Sequence, residues 1–384
     1  MKKLLVIHNK YQIIGGEDIA VENEVNVLKK HYEVEVLYFN NKITNFFMEL
    51  KSFLLRKNSR SVKVIREKIN NFNPDVVYVH NSWFKVSLGV FELMSEVGIP
   101  TIVKLHNFRY FCTQHFLSSA HLSGEKLCLA CGYTQKKFQF LNKYFQESFI
   151  KSFFVILYGK KYIKILKNSD LKILVLTDFH KKFIESLGNF KSKIHVHPNP
   201  LNLEIHTSEQ KEENYFIYAG RISKEKGVKE LIEVFIDADF KEVNLKIVGD
   251  GPLLQALKNK YKNQENIHFE GILKNVEVME LISKSKAVVT ATRLYEGQPT
   301  LLCEASSIGI PSIFPETGGI REFFPTDYKY SYKQFYYLDL KEKLKILEDR
   351  DLSRQTGNEN KDYIINLLNE EKFIDNFNMI LNDQ

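Results

Sequence analysis

The amino-acid sequence predicts an α/β protein that contains two parallel β-sheets. Its 384 residues exceed what one ordinary hydrophobic core organises and fit two domains of typical size. Through the first half, short apolar segments alternate with helical stretches, which is typical of a parallel sheet. The same alternation begins again near residue 215. Two successive units of this kind are therefore expected.

Each expected strand is a short, nearly continuous apolar run, and such runs indicate burial on both faces of a sheet. In the first half these runs are residues 4–7, 34–39, 76–79, 102–105 and 173–176. In the second half they are residues 215–219, 245–248, 267–269, 287–290 and 311–314. Near the end of the chain, residues 362–381 have apolar residues at helical spacing and predict one helix.

Composition and the N-terminus exclude several classes of protein. The chain is 44% hydrophobic and 26% charged, as globular proteins are. The apolar run after Met1 stops at His8, which is too short for a signal peptide, and no segment is long and apolar enough to span a membrane. With four cysteines and no export signal, a reducing cytoplasm is expected. The net charge of +7 suits phosphate-rich substrates or anionic lipid, and without base-stacking motifs nucleic acid is not expected.

The run EGQPTLLCE contains the most informative residues, Glu296 and Glu304. Pro299 is well suited to the first position of a helix, where its missing N–H costs nothing. Thr300 and Leu301 would then present free N–H groups at a positive helix end, which suits a phosphate. Carboxylates accept paired hydrogen bonds from vicinal hydroxyls. This layout fits a nucleotide-sugar.

Two cations and a set of glycines extend this site. Arg221 follows an expected strand and Lys226 begins the next helix, so both could hold a diphosphate at the carboxyl end of the sheet. Neither half has the G-x-G-x-x-G motif of dinucleotide oxidoreductases after its first strand. The glycines expected near the ligand are Gly220, Gly249, Gly251, Gly297 and Gly319, the last in a second amide cradle.

The pattern E-G-x-P-x-x-L-x-E-A, followed by G-I-P and T-G-G-I-R-E, resembles the donor site of the retaining family-four glycosyltransferases, also called group 1. GRISKEKG and GDGP occur upstream in the order that the family has. The resemblance implies two Rossmann-like domains that face each other across a cleft (GT-B type), with a C-terminal helix returning to the first domain. It is strongest over residues 215–325.

The resemblance also implies the domain limits and the roles of further residues. Residues 195–200 resemble the family's interdomain hinge, which gives an acceptor-binding domain at 1–200 and a donor-binding domain at 201–384. The last helix, about 362–381, would pack on the first domain. Gly15 and Gly16 resemble the glycine-rich loop that approaches the donor phosphates. The family commonly has a histidine at the position of His106, usually before aspartate, whereas this chain has Asn107.

By this resemblance, the reaction is transfer of a sugar from a nucleoside-diphosphate sugar to a glycan or lipid-linked acceptor, with retention. The leaving phosphate would help to deprotonate the acceptor, and the chain would contribute position and charge. Residues assigned to catalysis are Glu296, His106, Arg221 and Lys226. Asp237 and Asp239 form a D-x-D pattern at the end of a predicted helix, far in sequence from the donor motifs. No catalytic metal or other cofactor is expected.

Two features remain open. Cys112, Cys128 and Cys131, with one nearby histidine, have the spacing of a structural zinc site, but reduced thiols packed in a loop are the favoured alternative. Residues 46–60 and 136–167 mix aromatic and apolar side chains with lysine. Such helices either lie on an anionic membrane surface, which would place the protein peripherally on the inner face of the cell membrane, or simply cover the sheet.

Two other functions fit the same fold. A nucleotide-sugar 2-epimerase would form an epimer without an acceptor, and a non-catalytic scaffold would keep the fold alone. The intact charged motifs argue against the scaffold. Surface-polysaccharide synthesis, of capsule or O-antigen, is the setting that the family suggests. The motifs leave UDP and GDP open as the nucleotide.

Overall fold

The computed structural model describes residues 1–11, 16–41, 46–108, 110–111, 148–201 and 213–383, with the backbone alone for 46–50 and 350. The chain divides into two compact units. The first unit comprises Met1–Pro200 together with Glu370–Gln384, and the second comprises Leu201–Asn369.

The first unit contains a six-stranded sheet in the order β2-β1-β3-β4-β5-β6, and every pairing between neighbours is parallel. Its strands are β1 (Lys3–Lys10), β2 (Glu33–Asn40), β3 (Val76–Val79), β4 (Thr101–Leu105), β5 (Lys172–Val175) and β6 (Lys193–Val196). Its helices are α1 (Gly16–Leu28), α2 (Phe46–Leu55), α3 (Ser59–Phe72), α4 (Gly89–Val97), α5 (Phe149–Asn168) and α6 (Asp178–Ser186).

Local sequence accounts for these helix boundaries. The Asn58 side chain accepts hydrogen bonds from the N–H groups of Arg60 and Ser61, which caps the start of α3. Asn73 ends the same helix in the left-handed conformation. Thr177 caps α6 in the same way by accepting from the His180 N–H. These caps satisfy backbone groups that a helix end leaves unpaired.

Two edge strands depart from the sequence predictions. β2 lies at one edge of the sheet and is only half-buried, so the expected burial on both faces holds for β1 and β3 but not for β2. At the other edge, the segment interpreted as a hinge begins as β6, which includes His195 and Val196. An edge strand needs only one buried side, so its sequence lacks a continuous apolar run.

The C-terminal segment is two helices rather than the single helix predicted over 362–381. A helix of the second unit, α12 (Arg350–Leu367), ends at Leu368, and α13 (Glu370–Asn382) follows after Asn369. Only α13 belongs to the first unit. Its buried residues Phe373, Phe377 and Ile380 join the core around β1 and β3. The predicted return of the C-terminal helix is therefore confirmed with a shorter helix.

The second unit contains another parallel six-stranded sheet, in the order β12-β11-β10-β7-β8-β9. Its strands are β7 (Tyr215–Ala219), β8 (Asn244–Val248), β9 (Ile267–Gly271), β10 (Ala287–Val289), β11 (Ser312–Glu316) and β12 (Ser331–Lys333). Its helices before α12 are α7 (Val228–Asp237), α8 (Leu254–Lys260), α9 (Asn275–Lys284), α10 (Thr300–Ser307) and α11 (Tyr337–Ile346). Short 3₁₀ helices occupy Lys224–Lys226 and Ile320–Phe323.

Each sheet has helices packed on it and its own hydrophobic core, so the predicted α/β class with two parallel sheets is confirmed. Strand β12 was not predicted, because its three residues at the sheet edge include serine and lysine. Within the described ranges, none of the helices combines the length and the apolar character needed to cross a bilayer.

Candidate functional site

The strand order of the second unit reverses between β7 and β10. From β7 the chain adds β8 and β9 on one side, and β10, β11 and β12 then follow on the other. In open α/β sheets, the carboxyl ends of the strands at such a reversal form a crevice where ligands bind. Gly220 and Arg221 follow β7, and the loop that contains Glu296 follows β10.

The structure brings two predicted site residues into contact at this reversal. Lys226 Nζ donates to Glu296 Oε1 over 2.6 Å, and Thr292 Oγ1 donates to the same oxygen over 2.8 Å. The side chains of Lys226 and Glu296 are 32% and 26% exposed, so solvent or a ligand can reach both. A diphosphate bound here would compete with Glu296 for the Lys226 ammonium group.

The loop that carries Glu296 is fixed by Gly319, which was expected to cradle phosphate, and by its neighbour Gly318. The Gly319 N–H donates to the Glu296 carbonyl over 2.9 Å, so this amide is not free for a ligand. Gly318 has a φ of 59°, and a Cβ there would lie 2.1 Å from the Glu296 carbonyl oxygen. Glycine is therefore required at 318 for the close approach of the two loops. Gly318 and Gly319 therefore position Glu296, and the Gly319 amide is not presented to a ligand.

The start of α10 differs from the prediction by one residue. Pro299 precedes the helix, and its carbonyl accepts from the Cys303 N–H over 3.0 Å. The Thr300 N–H is not free, because it donates to the Gln298 carbonyl over 3.0 Å. In the portion of the chain that the structure describes, the N–H groups of Leu301 and Leu302 have no acceptor. These two amides are the ones that α10 offers to an anion.

Glu304 lies on the first turns of α10 and is 6% exposed. Among the described residues, no group donates to its carboxylate. Burial raises the pKa of Glu304 to about 7, since the charged form loses solvation without gaining a partner. A buried carboxyl in this state gains most from a ligand that donates hydrogen bonds to it.

Arg221 is exposed, and its guanidinium makes no hydrogen bond or ion pair to the residues that are described. Its carbonyl accepts from the Tyr218 hydroxyl over 2.8 Å, which fixes the backbone at the end of β7. The neighbouring Gly249 meets the same loop: a Cβ there would lie 2.0 Å from the Gly220 carbonyl oxygen. Gly249 thus lets two loops pack against each other.

The other predicted glycines have smaller roles in the geometry of the site. Gly251 packs on the Ile222 carbonyl in the manner of Gly249, and its N–H donates to Asp250 Oδ1 over 2.7 Å. Gly297 is partly exposed beside Glu296. Gly16 is exposed at the first residue of α1. Gly15 lies outside the described residues.

In the first unit, His106 lines a depression at the carboxyl ends of β3 and β4. His106 Nε2 lies 3.0 Å from His80 Nδ1. Burial lowers the pKa of both imidazoles well below the usual range, and the nearby Lys104 ammonium lowers both further. Both rings are therefore neutral near pH 7. Asn107 donates to Glu17 Oε2 over 3.0 Å, so the residue that replaces the family's usual aspartate binds the carboxylate of α1.

A buried charged network lies beneath this depression, and the sequence interpretation missed it. Lys104 Nζ is 2.8 Å from Glu24 Oε2, and both side chains are 0% exposed. The Tyr78 hydroxyl donates to the other Glu24 oxygen over 2.6 Å. His197 Nε2 is 3.9 Å from that oxygen. A lysine inside the apolar strand TIVKL was the available signal, because a charge in a buried strand requires a partner.

The possible metal sites receive no support here. Asp237 makes an ion pair with Lys341 over 2.8 Å, and Asp239 is an exposed residue with a φ of 53° after α7. The D-x-D pair lies at the end of α7 and just after it. Cys112, Cys128 and Cys131 lie outside the described residues. In the described ranges, no three His, Cys, Asp or Glu side chains are grouped so that they could hold a metal ion.

Comparisons with known proteins point to one family. The family model described as glycosyl transferases group 1 matches residues 203–363. The O-antigen biosynthesis glycosyltransferase WbnH of Escherichia coli is 28% identical over 179 residues, which are 45% of this chain and 48% of that protein. The amylovoran biosynthesis glycosyltransferase AmsD of Erwinia amylovora is 29% identical over 152 residues, 37% of this chain and 42% of that protein. The chain thus spans about half the length of the curated relatives it matches.

Solved structures resemble the whole chain. Anabaena HepE, in complex with UDP and glucose, has a TM-score of 0.72 at 13% identity and full coverage of both chains. Sucrose-phosphate synthase from Thermosynechococcus elongatus has a TM-score of 0.72 at 13% identity, covering 99% of this chain and 98% of that one. At these identities the likeness establishes the shared fold alone.

Proposed function

We propose that this chain, whose residues 203–363 match the family model of the group 1 glycosyl transferases, transfers a sugar from a nucleoside-diphosphate sugar to a glycan or lipid-linked acceptor. The observation that carries this proposal is the arrangement in the second unit. The Lys226–Glu296 contact and the buried Glu304, whose carboxylate has no partner among the described residues, flank the reversal of strand order where α/β sheets bind ligands.

The charge arrangement fits a nucleoside diphosphate. Arg221 offers a guanidinium that no described residue pairs at the end of β7, and Lys226 offers an ammonium group that Glu296 shares. Leu301 and Leu302 add two amides at the positive end of α10 that have no acceptor among the described residues. The Glu304 carboxylate would accept hydrogen bonds from the ribose hydroxyls, which supply the donors that it lacks within the described chain. The diphosphate and the ribose thus each have complementary groups in the second unit.

The reaction proposed is a same-face displacement with retention. The leaving diphosphate would take the proton of the acceptor hydroxyl as its bond to the sugar breaks, so no nucleophile of the protein is needed. Arg221, Lys226 and the α10 amides would stabilise the charge that develops on the departing diphosphate. Glu296 would accept a hydrogen bond from a hydroxyl of the transferred sugar when the diphosphate takes its place on Lys226. No metal ion or other cofactor enters this scheme.

The setting proposed is synthesis of a surface polysaccharide in the cytoplasm. WbnH and AmsD are named for O-antigen and amylovoran biosynthesis, which supports an acceptor of that class. HepE is described in complex with UDP and with UDP-glucose, which makes UDP the first nucleotide to test.

Contact with an anionic membrane is a further part of this proposal. The first turns of α5 expose the apolar side chains of Phe149, Ile150 and Phe153 beside the exposed Lys151. Such a combination suits a bilayer surface that contains anionic lipid. Sedimentation with vesicles of phosphatidylglycerol, against vesicles of phosphatidylcholine, tests it. Binding that Ile150→Glu abolishes supports the contact, and equal recovery with both vesicles contradicts it.

The transfer proposal is tested by measuring the release of nucleoside diphosphate from a panel of UDP- and GDP-sugars, with and without lipid-linked acceptors. Release that requires an acceptor supports transfer. Conversion of the sugar to its epimer without an acceptor would establish the 2-epimerase instead. If no reaction occurs although the nucleotide still binds, the non-catalytic scaffold is the function that remains. Glu265→Gln is the matched control for Glu296→Gln, because Glu265 is an exposed glutamate on the same unit.

A further inference from the structure

The Glu296 loop (residues 290–299, between β10 and α10) is held through alternate backbone carbonyls. The Thr290 carbonyl accepts from the Tyr332 hydroxyl over 3.1 Å, and the Glu296 carbonyl accepts from the Gly319 N–H over 2.9 Å. The carbonyls of the two residues midway, at 292 and 294, accept from side chains. All of these donors lie in β12 or just after β11 or β12, on one side of β10 in the sheet. Carbonyls two residues apart point to the same side in an extended chain, so these donors together fix the loop in that form.

Gln334, directly after β12, binds the middle of the Glu296 loop. Its Nε2 lies 3.3 Å from the Thr292 carbonyl oxygen and 3.4 Å from that of Leu294. Both neighbours are carbonyl oxygens, which only accept, so the amide nitrogen of Gln334 and not its oxygen must face them. The Thr292 hydroxyl in turn donates to Glu296 Oε1 over 2.8 Å. Gln334 therefore fixes the backbone of the residue that orients the Glu296 carboxylate.

The other side of the Glu296 loop rests on the short 3₁₀ helix that ends at Lys226. The Arg293 N–H donates to the Glu225 carbonyl over 2.9 Å. A Cβ at Gly227 would overlap the Ala291 carbonyl oxygen, so the two backbones are in direct contact there. The loop is therefore held from two sides, by this 3₁₀ helix and by the donors that follow β11.

Phe335, the residue after Gln334, has a backbone conformation that its own side chain disfavours. Its φ is 69°, in the left-handed region that residues other than glycine rarely adopt. Its ring centre lies 5.8 Å from the guanidinium carbon of Arg293, within the range of a cation–π contact. Arg293 Nη1 also donates to Glu230 Oε1 on α7 over 2.9 Å. Phe335 thus binds the side chain that lies between the two loop residues whose carbonyls Gln334 holds.

We propose that Gln334 is a positioning residue for sugar transfer, which acts through Thr292 on the Glu296 carboxylate. When a diphosphate takes the Lys226 ammonium group, Thr292 is the one donor from the described residues that remains on this carboxylate. Its position then decides where Glu296 meets a hydroxyl of the transferred sugar. The proposal deepens the transfer function above and rests on it. Since Arg221 and the α10 amides lie on other segments, loss of Gln334 should slow transfer and spare nucleotide binding.

Two variants of Gln334 test the role of its donor in the full chain. Gln334→Met removes the donor at a similar length, and Gln334→Lys keeps one. We expect the kcat of transfer to fall about tenfold in Gln334→Met, the loss of one hydrogen bond, while UDP and GDP bind as to the wild type. Gln334→Lys should restore most of the kcat, and Gln355→Met, at an exposed glutamine of α12, should match the wild type. Equal losses of kcat and nucleotide affinity, or full turnover in Gln334→Met, overturn the proposal.

Hydrogen exchange of the unliganded full chain tests the same contacts without relying on catalysis. In Gln334→Met, the amides of residues 290–296 should exchange several-fold faster, while those of β7 and β8 keep the wild-type rates. Gln334→Lys should exchange as the wild type does. Unchanged exchange over residues 290–296, or faster exchange throughout the second unit, overturns the positioning role. A wild type that binds nucleotide without transferring sugar, and whose loop exchange still depends on Gln334, would overturn the transfer function and not this contact.

Discussion

Lys226 and Glu296 share a hydrogen bond of 2.6 Å although they lie 70 positions apart in the chain. Lys226 lies just after β7 and Glu296 in the loop after β10, so the parallel pairing of these two strands brings them together. The Gly319 amide fixes the Glu296 backbone from a third direction. A diphosphate bound at Lys226 would compete with this carboxylate partner for the ammonium group, and this competition leads to the first prediction.

Replacing Glu296 with glutamine should separate binding from transfer. The variant leaves Lys226 without its carboxylate partner, so UDP or GDP should bind as tightly as to the wild type, or several-fold more tightly. Transfer should slow by about tenfold or more, because the glutamine lacks the charge proposed to contact the sugar. Calorimetry and nucleotide release measure the two effects, with Glu265→Gln as the control. If Glu296→Gln instead binds nucleotide more weakly and keeps full turnover, then Glu296 contributes to nucleotide binding and not to transfer.

The raised pKa of Glu304 predicts how stability depends on pH. The folded carboxyl has a pKa of about 7, against 4.5 when unfolded, so the folded state binds the proton more strongly. The stabilisation of the folded state by the protonated Glu304 carboxyl is therefore complete below about pH 4.5, and it is lost as the pH rises to about 7. Above that pH the charged carboxylate costs about 3 kcal/mol. Urea unfolding of Glu304→Gln should show a gain of this order at pH 8, which shrinks towards pH 5. A gain that does not change with pH would contradict the burial argument.

Nucleotide binding should release a proton near pH 6.5. Ribose hydroxyls that donate to Glu304 stabilise its charged form, so binding lowers its pKa from about 7. Affinity should accordingly fall as the pH drops below about 7. Calorimetry in two buffers of different ionisation enthalpy counts the released protons. Glu304→Gln should release none, and equal proton release from the wild type and this variant would place the titrating group elsewhere.

Breaking the buried pair in the first unit should destabilise that unit strongly. Lys104→Met removes the ammonium partner of the buried Glu24 and leaves it beside Tyr78 and His197, which should cost about 3–5 kcal/mol in free energy of unfolding. The double variant Lys104→Met with Glu24→Gln removes both charges and should recover part of this loss. If the double variant is less stable than the single one, the carboxylate is not the source of the cost.

Helix α13 should stabilise the first unit by burying its apolar face. Phe377 is fully buried against the β1 and β3 core, and Phe377→Ala should cost about 3–5 kcal/mol. Met379 lies on the same helix but is 63% exposed, so Met379→Ala serves as the matched control. Hydrogen exchange should lose protection in β1 and β3 and leave β7 and β8 unchanged. Uniform loss in both sheets would instead mean that the two units unfold together.

Whether the sequence predicted an element correctly depends on how fully that element is buried and on how far apart its contacting residues lie in the chain. Strands β3 and β7 match their predicted limits, since a buried central strand must be apolar throughout. The edge strands β6 and β12 were missed because one exposed side permits polar residues. Local motifs singled out Glu296 and Lys226. The Lys104–Glu24 pair spans 80 positions, and only the packing of α1 on the sheet brings its members together.

The most direct test of the central claim is calorimetric titration of the full chain with UDP and with GDP, without added metal. The proposed donor site predicts micromolar binding of one of them, lost in Glu304→Ala and weakened about tenfold in Lys226→Met. Glu265→Gln should bind as the wild type does. If neither nucleotide binds, or if one binds equally well to Glu304→Ala, then the second unit does not hold a nucleotide at these residues.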